Sequence, residues 1–348
     1  MSETLVRCDD RVALDATLDA ARASAEAIAF VPTMGALHVG HLTLVRRAAT
    51  LAPTVVVSIF VNPTQFDVAA DLAAYPRTLD DDLAQLAALA ATLDASLIVY
   101  TPSVDDVYPD GAARTLRVSD VTDHLCGASR PGHFDGVATV VDALLRAVRP
   151  TIVVMGRKDH QQLVVVRRLV AMQGHAVEVD AAPAVRDHDG VATSSRNRLL
   201  DDAARAVARR IPAALAAGVE VARGARAAGG VLDPVDVRDA ANAVLAGDGL
   251  RIDYLETVDP DRIVPIERPI GGLGEGPGGE AGEGPDARQV QMLLAVAAHV
   301  GAGEATVRLI DNVLLGDAAD EQRLLDALAG TAEPRAGGDV GWDAGGDE

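Results

Sequence analysis

Short apolar runs alternate with helical segments through the first half of the chain, and this alternation restricts the possible folds more than any other feature. The apolar runs are rich in β-branched residues and cover residues 27–31, 54–61, 97–100, 151–155 and 176–179. Helical periodicity occurs between them, at residues 41–51, 79–93, 137–147 and 161–172. Apolar strands separated by helices are typical of a parallel sheet that is buried on both faces. We therefore predict a doubly wound, Rossmann-like α/β fold, in which ligands bind beyond the carboxyl ends of the strands.

The character of the sequence changes after residue 183, which predicts a second, smaller α/β domain. Alanine-rich helix follows Asp201, and residues 251–258, 290–298 and 307–310 are strand-like. We assign residues 1–183 to a Rossmann-like domain that binds nucleotide and substrate. Residues 184–315 are assigned to a smaller α/β lid domain with a glycine-rich insert at 271–285. Residues 316–348 are predicted to form a helix and an acidic, disordered tail.

Composition excludes several classes of function. The 348 residues carry a formal net charge of −20 and contain no cluster of basic residues, which argues against nucleic-acid binding. No apolar run reaches about 18 residues and the N-terminus has no basic, apolar start, so neither a membrane span nor a signal peptide is predicted. Cys8 and Cys126 have neither metal-ligand nor disulfide-framework spacing. We therefore expect a protein of the reducing cytoplasm.

The string PTMGALHVGH, at residues 32–41, is the leading candidate for a nucleotide site. His38 and His41 are three residues apart, so they share one face at the start of the helix that follows. A helix N-terminus offers free N–H groups and a positive partial charge to phosphate, and glycines let a nucleotide approach the backbone. The spacing alone would also fit two surface histidines. The G-x-G-x-x-G string that begins at Gly274 lies in the glycine-rich insert, without the strand and helix it requires, and predicts only a loop.

Polar residues after two later strands are further candidates. Asn62 and Gln65 carry amides that suit a hydroxy acid, although N-P-x-Q would also form an ordinary turn. Lys158 is the only lysine in the chain. A compact ammonium can act as a point charge on phosphate where the planar arginine fork would not fit. The alternative is a surface lysine without a function.

A third group of candidates lies near predicted helix ends. Ser194, Ser195 and Arg196 combine two hydroxyls with a guanidinium, which suits phosphate oxygens, and the serines also suit a helix cap. These two interpretations are compatible. Asp81 belongs to an acidic run at 80–82, which capping and the helix dipole would explain. Asp81 is also the candidate Mg²⁺ ligand.

The H-x-G-H string resembles the signature of the nucleotidyltransferase superfamily, and PTMGALHVGH resembles the corresponding string of the pantothenate synthetase (pantoate–β-alanine ligase) family. Other strings agree in the same order. They are SIFVNPTQF at 58–66, YPR at 75–77, RPGHF at 130–134, GRKDHQQ at 156–162 and SSRN at 194–197. The resemblance extends over about residues 25–315.

This resemblance implies a ligase that uses ATP and Mg²⁺ to adenylate pantoate and then transfers the acyl group to β-alanine, releasing AMP and pyrophosphate. It also implies a homodimer formed through the first domain, with small molecules as its other partners. The implied catalytic residues are His38, His41, Lys158, Ser194, Ser195 and Arg196. The implied nucleotide-binding residues are Pro32, Thr33, Met34, Gly35, His38, Gly40, His41, Gly156, Lys158, Asp159, Val185, Thr193, Ser194, Ser195 and Arg196. The implied substrate-binding residues are Met34, Asn62, Gln65, Tyr75, Arg130, His133 and Gln162, and Asp81 is the implied metal ligand.

Two other functions remain open, and three positions depart from the family pattern. One alternative is another nucleotidyltransferase that acts on a phosphate, and the other is a catalytically silent paralogue that binds nucleotide. Arg157 stands where the family usually has glutamate, His160 where it has an aromatic residue, and Thr193 where it has methionine. We expect Arg157 to add positive charge near the phosphates and Thr193 to weaken a contact with adenine.

Overall fold

The first sheet has the parallel, doubly wound topology that the sequence predicts. The computed structural model describes residues 5–66, 72–73, 75–271, 291–301 and 306–330. Strands β1 to β6 are Leu5–Cys8, Ile28–Thr33, Thr54–Ile59, Ser96–Tyr100, Ile152–Gly156 and Glu178–Ala182. They pair in parallel in the order β1-β4-β3-β2-β5-β6. Because the strand order reverses between β2 and β5, the crevice at their carboxyl ends is the expected ligand site.

Helices pack on both faces of this sheet. Helices α1 to α7 of the described chain are Arg11–Ala23, Val39–Leu51, Leu79–Ala90, Val104–Val107, Leu125–Ser129, His133–Val148 and His160–Gln173. Alternate residues of β3 pack into two different hydrophobic cores. Val56 packs into one core, and Val55 and Val57 pack into the other. The continuous apolar run at 54–61 therefore has the predicted cause, since both of its faces are buried.

Two features of the sheet differ from the sequence prediction. The sequence does not predict β1, since only Cys8 of its four residues is buried. This strand pairs with β4 alone, at the edge of the sheet. The sequence predicts that β2 stops before Pro32, but the strand continues through Thr33. Proline cannot donate to a ladder, and β2 pairs with β5 only at Ala29 and Phe30, so Pro32 lies beyond that pairing.

The second sheet is small and antiparallel. Strands β7 to β9 are Leu250–Val258, Met292–Val300 and Val307–Leu315, and they pair in that order. Helices α8 to α11 are Asp202–Ala208, Arg210–Ala227, Pro234–Leu245 and Ala318–Leu328. Strand β9 extends beyond the predicted 307–310. The sequence prediction ends at residue 310 because the polar residues Asp311 and Asn312 interrupt the apolar run, but the structure buries both of them within the strand.

The middle strand of the second sheet contributes to two hydrophobic cores. Leu293 and Ala295 of β8 pack into the core that also contains Phe30 and Val56 of the first sheet. Leu294 and Val296, on the opposite face, pack with the helices that follow residue 201. The apolar core is therefore shared between the two sheets. The division of the chain at residue 183 stays a prediction.

Some sequence predictions fall outside the described residues. These are the glycine-rich insert from residue 272 onward and the tail from residue 331 onward. The helix predicted after residue 316 is present as α11. Among the described residues, no helix combines the length and the apolar character needed to span a bilayer.

Candidate active site

A cavity of about 270 Å³ opens at the carboxyl ends of β2 and β5, where the topology predicts a ligand site. Most of the candidate residues line it. They are Pro32, Thr33, Met34, His38, His41, Gln65, Tyr75, Arg130, His133, Lys158, Asp159, Gln162, Ser194, Ser195 and Arg196. The other candidates are absent from its described wall, namely Gly35, Gly40, Asn62, Asp81, Gly156, Val185 and Thr193.

The loop between β2 and α2 is held by a buried carboxylate. Asp82 accepts hydrogen bonds from the backbone nitrogens of Ala36, at 2.9 Å, and Leu37, at 2.8 Å. Gly35 has φ +77°, and a Cβ there would lie 3.0 Å from both Asp82 Oδ2 and Ile59 Cγ2. Glycine is therefore needed for the turn and for close packing against the carboxylate. This arrangement fixes the backbone that leads into His38.

His38 and His41 form a stacked pair at the N-terminus of α2. Their ring centroids are 4.0 Å apart with an interplanar angle of 26°. Burial lowers the pKa of His38 to about 4, with a smaller contribution from the positive charge of Lys158. Burial lowers the pKa of His41 to about 3, with smaller contributions from His38 and Lys158. Both imidazoles are therefore neutral near pH 7, and each can donate a hydrogen bond through one N–H.

The surroundings of the pair favour an anion. Neither Nδ1 atom of His38 and His41 has a hydrogen-bond partner among the described residues. His38 is the N-cap residue of α2, yet its side chain makes no capping bond. A helix N-terminus has unsatisfied N–H groups and a positive partial charge. Gly40 allows this arrangement, because a Cβ there would lie 2.9 Å from the His38 ring.

Lys158 enters the same cavity from the end of β5. It lies in a short 3₁₀ helix, Arg157–Asp159, and its side chain is 19% exposed. Its Nζ lies 3.6 Å from a carboxylate oxygen of Asp159. The only lysine of the chain is therefore a partly buried charge on the cavity wall and not a fully exposed surface residue, and its role stays a prediction.

The three positions that depart from the family pattern each make contacts within the protein. Arg157 is absent from the described cavity wall, and its guanidinium donates to Asp317 at 2.8 Å. Thr193 is buried off the wall, and its hydroxyl donates to Asp187 at 2.7 Å. His160 lines the cavity, and its Nε2 donates to the carbonyl oxygen of Pro260 at 2.8 Å. All three side chains are thus used in internal contacts.

Asn62 acts behind the cavity wall rather than on it. It is fully buried, and its Nδ2 donates to Oε1 of Gln65 at 3.0 Å and to the carbonyl of Gly136 at 3.2 Å. The Tyr108 hydroxyl donates to Asn62 Oδ1 at 2.7 Å. Since Oε1 of Gln65 accepts from Asn62, the Nε2 group of Gln65 is directed elsewhere. Asn62 therefore lies behind the described wall and contacts Gln65, and its predicted contact with substrate stays a prediction.

Arg130 and His133 support the same glutamine. Nδ1 of His133 donates to the carbonyl oxygen of Gln65 at 3.0 Å, which places the proton of the ring on that nitrogen. Nε2 of His133 then faces Nη1 of Arg130 at 3.1 Å, and Nη2 of Arg130 donates to the same carbonyl at 3.3 Å. Gln65 is thus fixed at both its side chain and its backbone.

The segment after Val191 forms part of the cavity wall. Ser194 caps the 3₁₀ helix Ser195–Leu199, with its hydroxyl accepting from the backbone of Arg196 at 3.3 Å, and it also lines the cavity. The predicted cap is therefore present, and the phosphate-binding role of this string stays a prediction. The Tyr75 hydroxyl is hydrogen-bonded to the Ser195 side chain, and burial raises the pKa of Tyr75. Arg198, which the sequence does not single out, donates to the carbonyl of Leu37 at 3.1 Å and joins this segment to the histidine loop.

The structure gives the predicted metal role of Asp81 no support. Asp81 is exposed in the first turn of α3, whereas its neighbour Asp82 is the buried member of the acidic run. No group of three His, Cys, Asp or Glu side chains suited to a metal occurs in the described part of the chain. The described cavity wall contributes the carboxylates of Asp159, beside Lys158, and of Asp311.

Helix α5 and the second sheet add residues that sequence reasoning missed. Cys126 Sγ lies 3.2 Å from the hydroxyl of Tyr254 and 3.6 Å from Nη2 of Arg308. Arg308 also donates to Asp253 at 2.7 Å. Cys126, Tyr254 and Arg308 line the cavity, as do Asp311 and Asn312. No local motif contains them, so only their meeting in space identifies them.

Comparisons with known proteins agree over nearly the whole chain. A family model described as Pantoate-beta-alanine ligase matches residues 8–314. Pantothenate synthetase from Mycobacterium sp. (strain KMS) is 47% identical over 243 residues, covering 69% of this chain and 74% of that protein. The crystal structure of pantothenate synthetase from Thermus thermophilus has a TM-score of 0.73 at 37% identity, covering 88% of this chain and 98% of that one. The pantoate-beta-alanine ligase of Francisella tularensis, complexed with beta-gamma ATP and beta-alanine, has a TM-score of 0.62 at 29% identity, covering 89% and 97%.

Proposed function

The chain belongs to the pantoate–β-alanine ligase family, and we propose that it condenses pantoate with β-alanine, using ATP and releasing AMP and pyrophosphate. One observation carries this proposal. The histidine pair, Lys158 and the Ser194–Arg196 segment line the same cavity as Gln65 and Gln162. Groups suited to phosphates thus lie next to amides suited to a hydroxy acid.

In the first step, a carboxylate oxygen of pantoate attacks the α-phosphorus of ATP. The bond from this phosphorus to the bridging oxygen breaks, and pyrophosphate leaves with the electron pair. His38 and His41 would donate hydrogen bonds to phosphate oxygens as neutral imidazoles, together with the N-terminal amides of α2. Lys158, Ser194, Ser195 and Arg196 would stabilise the charge on the leaving pyrophosphate. The low pKa of His41 favours a hydrogen-bond donor over a charged acid in the free protein.

In the second step, the amine of β-alanine attacks the acyl carbon of pantoyl adenylate. The acyl C–O bond breaks, AMP leaves, and the nitrogen loses a proton to give the amide of pantothenate. Gln65 and Gln162 would hold the pantoyl group throughout, while Asp159 would bind the ribose hydroxyls. Catalysis in both steps depends on positioning and charge stabilisation, since no side chain is required to form a covalent bond.

Mg²⁺ fits this cavity as an ion that accompanies ATP. Proteins usually hold Mg²⁺ through one or two carboxylates, with phosphates and waters completing the shell. The described wall presents two carboxylates, Asp159 and the Arg186-paired Asp311, and no three-ligand cluster, so phosphates and waters would complete most of the shell. When bound, Mg²⁺ would neutralise phosphate charge.

Assembly as a homodimer and a cytoplasmic location are parts of the same proposal, and light scattering of the purified chain tests the dimer.

The decisive assay is release of AMP and pyrophosphate from Mg-ATP with pantoate and β-alanine together and with each omitted. Pantothenate formation that needs both substrates is the expected result. Pyrophosphate released with pantoate alone, in an amount close to that of the enzyme, would indicate the adenylate intermediate. Turnover with a phosphorylated acceptor instead would establish another nucleotidyltransferase. ATP binding without any turnover would establish a silent paralogue and overturn the proposal.

A further inference from the structure

Two polar residues are buried in the middle of β9, where an apolar strand would be expected. Asp311 is 3% exposed and Asn312 is 9% exposed, between Leu309 and Val313. Buried polar groups are retained when hydrogen bonds satisfy them, and each therefore needs a structural or functional explanation. The partners of these two residues lie in the segments that carry the phosphate-binding candidates.

Asn312 holds the loop that carries Lys158. Its Nδ2 group donates to the carbonyl oxygens of both Arg157, at 3.1 Å, and Lys158, at 2.8 Å. The short helix Arg157–Asp159 has no side-chain cap of its own among the described residues. A single side-chain amide of the second sheet thus donates two hydrogen bonds to the backbone of the loop. These bonds restrict the position of the Lys158 backbone, and so the point from which its side chain extends.

Asp311 holds the segment that leads to Ser194. Its two carboxylate oxygens accept from the guanidinium of Arg186 at 2.6 and 3.0 Å, in a bidentate pair. Arg186 also donates to the carbonyl of Gly190 and forms a β-bridge with Ala192. The resulting hairpin ends immediately before Ser194. The same strand makes one more contact with this segment, because the carbonyl oxygen of Arg308 accepts a hydrogen bond from the Arg196 guanidinium at 3.5 Å.

The two residues point to opposite faces because they are consecutive in a strand. Asn312 lies on the face of Ile310 and Leu314, which pack into the core shared with the first sheet. Asp311 lies on the opposite face, with Leu309 and Val313. The strand can therefore contact both phosphate-binding segments at adjacent positions.

We propose that Asp311 and Asn312 are positioning residues that fix the separation between Lys158 and the Ser194–Arg196 segment. This inference rests on the proposed function, because it assigns both segments to the phosphates of ATP. Asn312 acts through Lys158, and Asp311 acts through the Arg186 hairpin. Strand β9 thus sets the dimensions of the phosphate site, although neither residue needs to bind the nucleotide.

The test is a double-mutant cycle of Asn312→Ala and Lys158→Ala. Misplacing a catalytic group by about 1 Å can lower the rate up to about a hundredfold, so Asn312→Ala should lower kcat by about ten- to a hundredfold. The KM for pantoate should change little. In the Lys158→Ala background, Asn312→Ala should have little further effect, because residues that act as a unit are not additive. Equal losses in both backgrounds, or no loss in the parent, would overturn the proposal.

A matched control and a second measurement keep this test decisive. Thr257→Val removes a buried hydrogen bond to Arg238 in the same sheet, away from the cavity. It should lower the melting temperature without lowering kcat. Asn312→Leu, which has a similar shape, replaces the alanine variant if that one does not fold.

Calorimetry with inorganic pyrophosphate repeats the cycle without chemistry. If the parent binds pyrophosphate but makes no pantothenate, the proposed function fails, and the affinities still decide the positioning role. In that case the expected result is weaker binding by Asn312→Ala in the parent but not in the Lys158→Ala background. A parent that does not bind pyrophosphate overturns the positioning role as well.

Discussion

Replacing Asp82 by asparagine should loosen the loop that carries the histidine pair, while the same change at Asp81 should not. Asp82 accepts from Ala36 N at 2.9 Å, Leu37 N at 2.8 Å and the hydroxyl of Thr78 at 3.2 Å. An asparagine keeps one acceptor oxygen, so one backbone amide would face an NH₂ group. A buried donor left without an acceptor costs about 1–3 kcal/mol.

The expected loss of stability for Asp82→Asn is therefore about 1–3 kcal/mol. Turnover should also fall by about ten- to a hundredfold. His38 follows the loop, and displacing a catalytic group by about 1 Å can lower the rate by up to about a hundredfold. Asp81 is exposed in the same helical turn, and Asp81→Asn should stay within about 0.5 kcal/mol of the parent.

Urea denaturation and the rate of pantothenate formation measure both effects on the matched pair. If Asp82→Asn is as stable and as active as Asp81→Asn, the carboxylate does not hold the loop and the argument fails. The Asp81 variant also tests the metal prediction. We expect its Mg²⁺ requirement to match that of the parent, and a raised requirement would restore Asp81 as a ligand.

Three further predictions follow from the contacts of the site. His41→Ala should lower kcat more than it raises the KM values, since its hydrogen bond strengthens as charge develops on the phosphates; steady-state kinetics equal to the parent would contradict this role. The pKa values of His38 and His41 are depressed in the folded state to about 4 and about 3, so the unfolded chain binds more protons below its ordinary histidine pKa of about 6.5. Stability should therefore fall as the pH drops from about 6.5 towards about 4, by at most about 1.4 kcal/mol per pH unit for each histidine. Urea midpoints between pH 7.5 and 5 should fall less steeply in the His38→Gln/His41→Gln variant, and an unchanged slope would refute the assignment. Arg157→Gln should lower stability by about 1 kcal/mol or less and leave the KM for ATP unchanged, because Arg157 pairs with Asp317 outside the cavity; a raised KM for ATP would show that its charge reaches the phosphates.

The main elements of the first sheet and the strings that line the cavity could be identified from the sequence. Strands buried on both faces require continuous apolar residues, so the runs at 54–61 and 151–155 predicted β3 and β5. The H-x-G-H string followed such a strand, and Lys158 stood out as the only lysine. These signals are local, because each depends on residues that are close together in the chain.

The tertiary structure alone decided which polar residues face the cavity and which support it. Asp81 and Asp82 are indistinguishable in sequence, and only packing against the Gly35 loop buries the second. Asn62 is a candidate ligand by its residue type, but the structure places it behind the described wall, where it donates to Gln65. The amide of Asn312 reaches Lys158 across 154 positions of the chain. Such contacts depend on how two sheets pack together, and no periodicity or spacing within a short string carries that information.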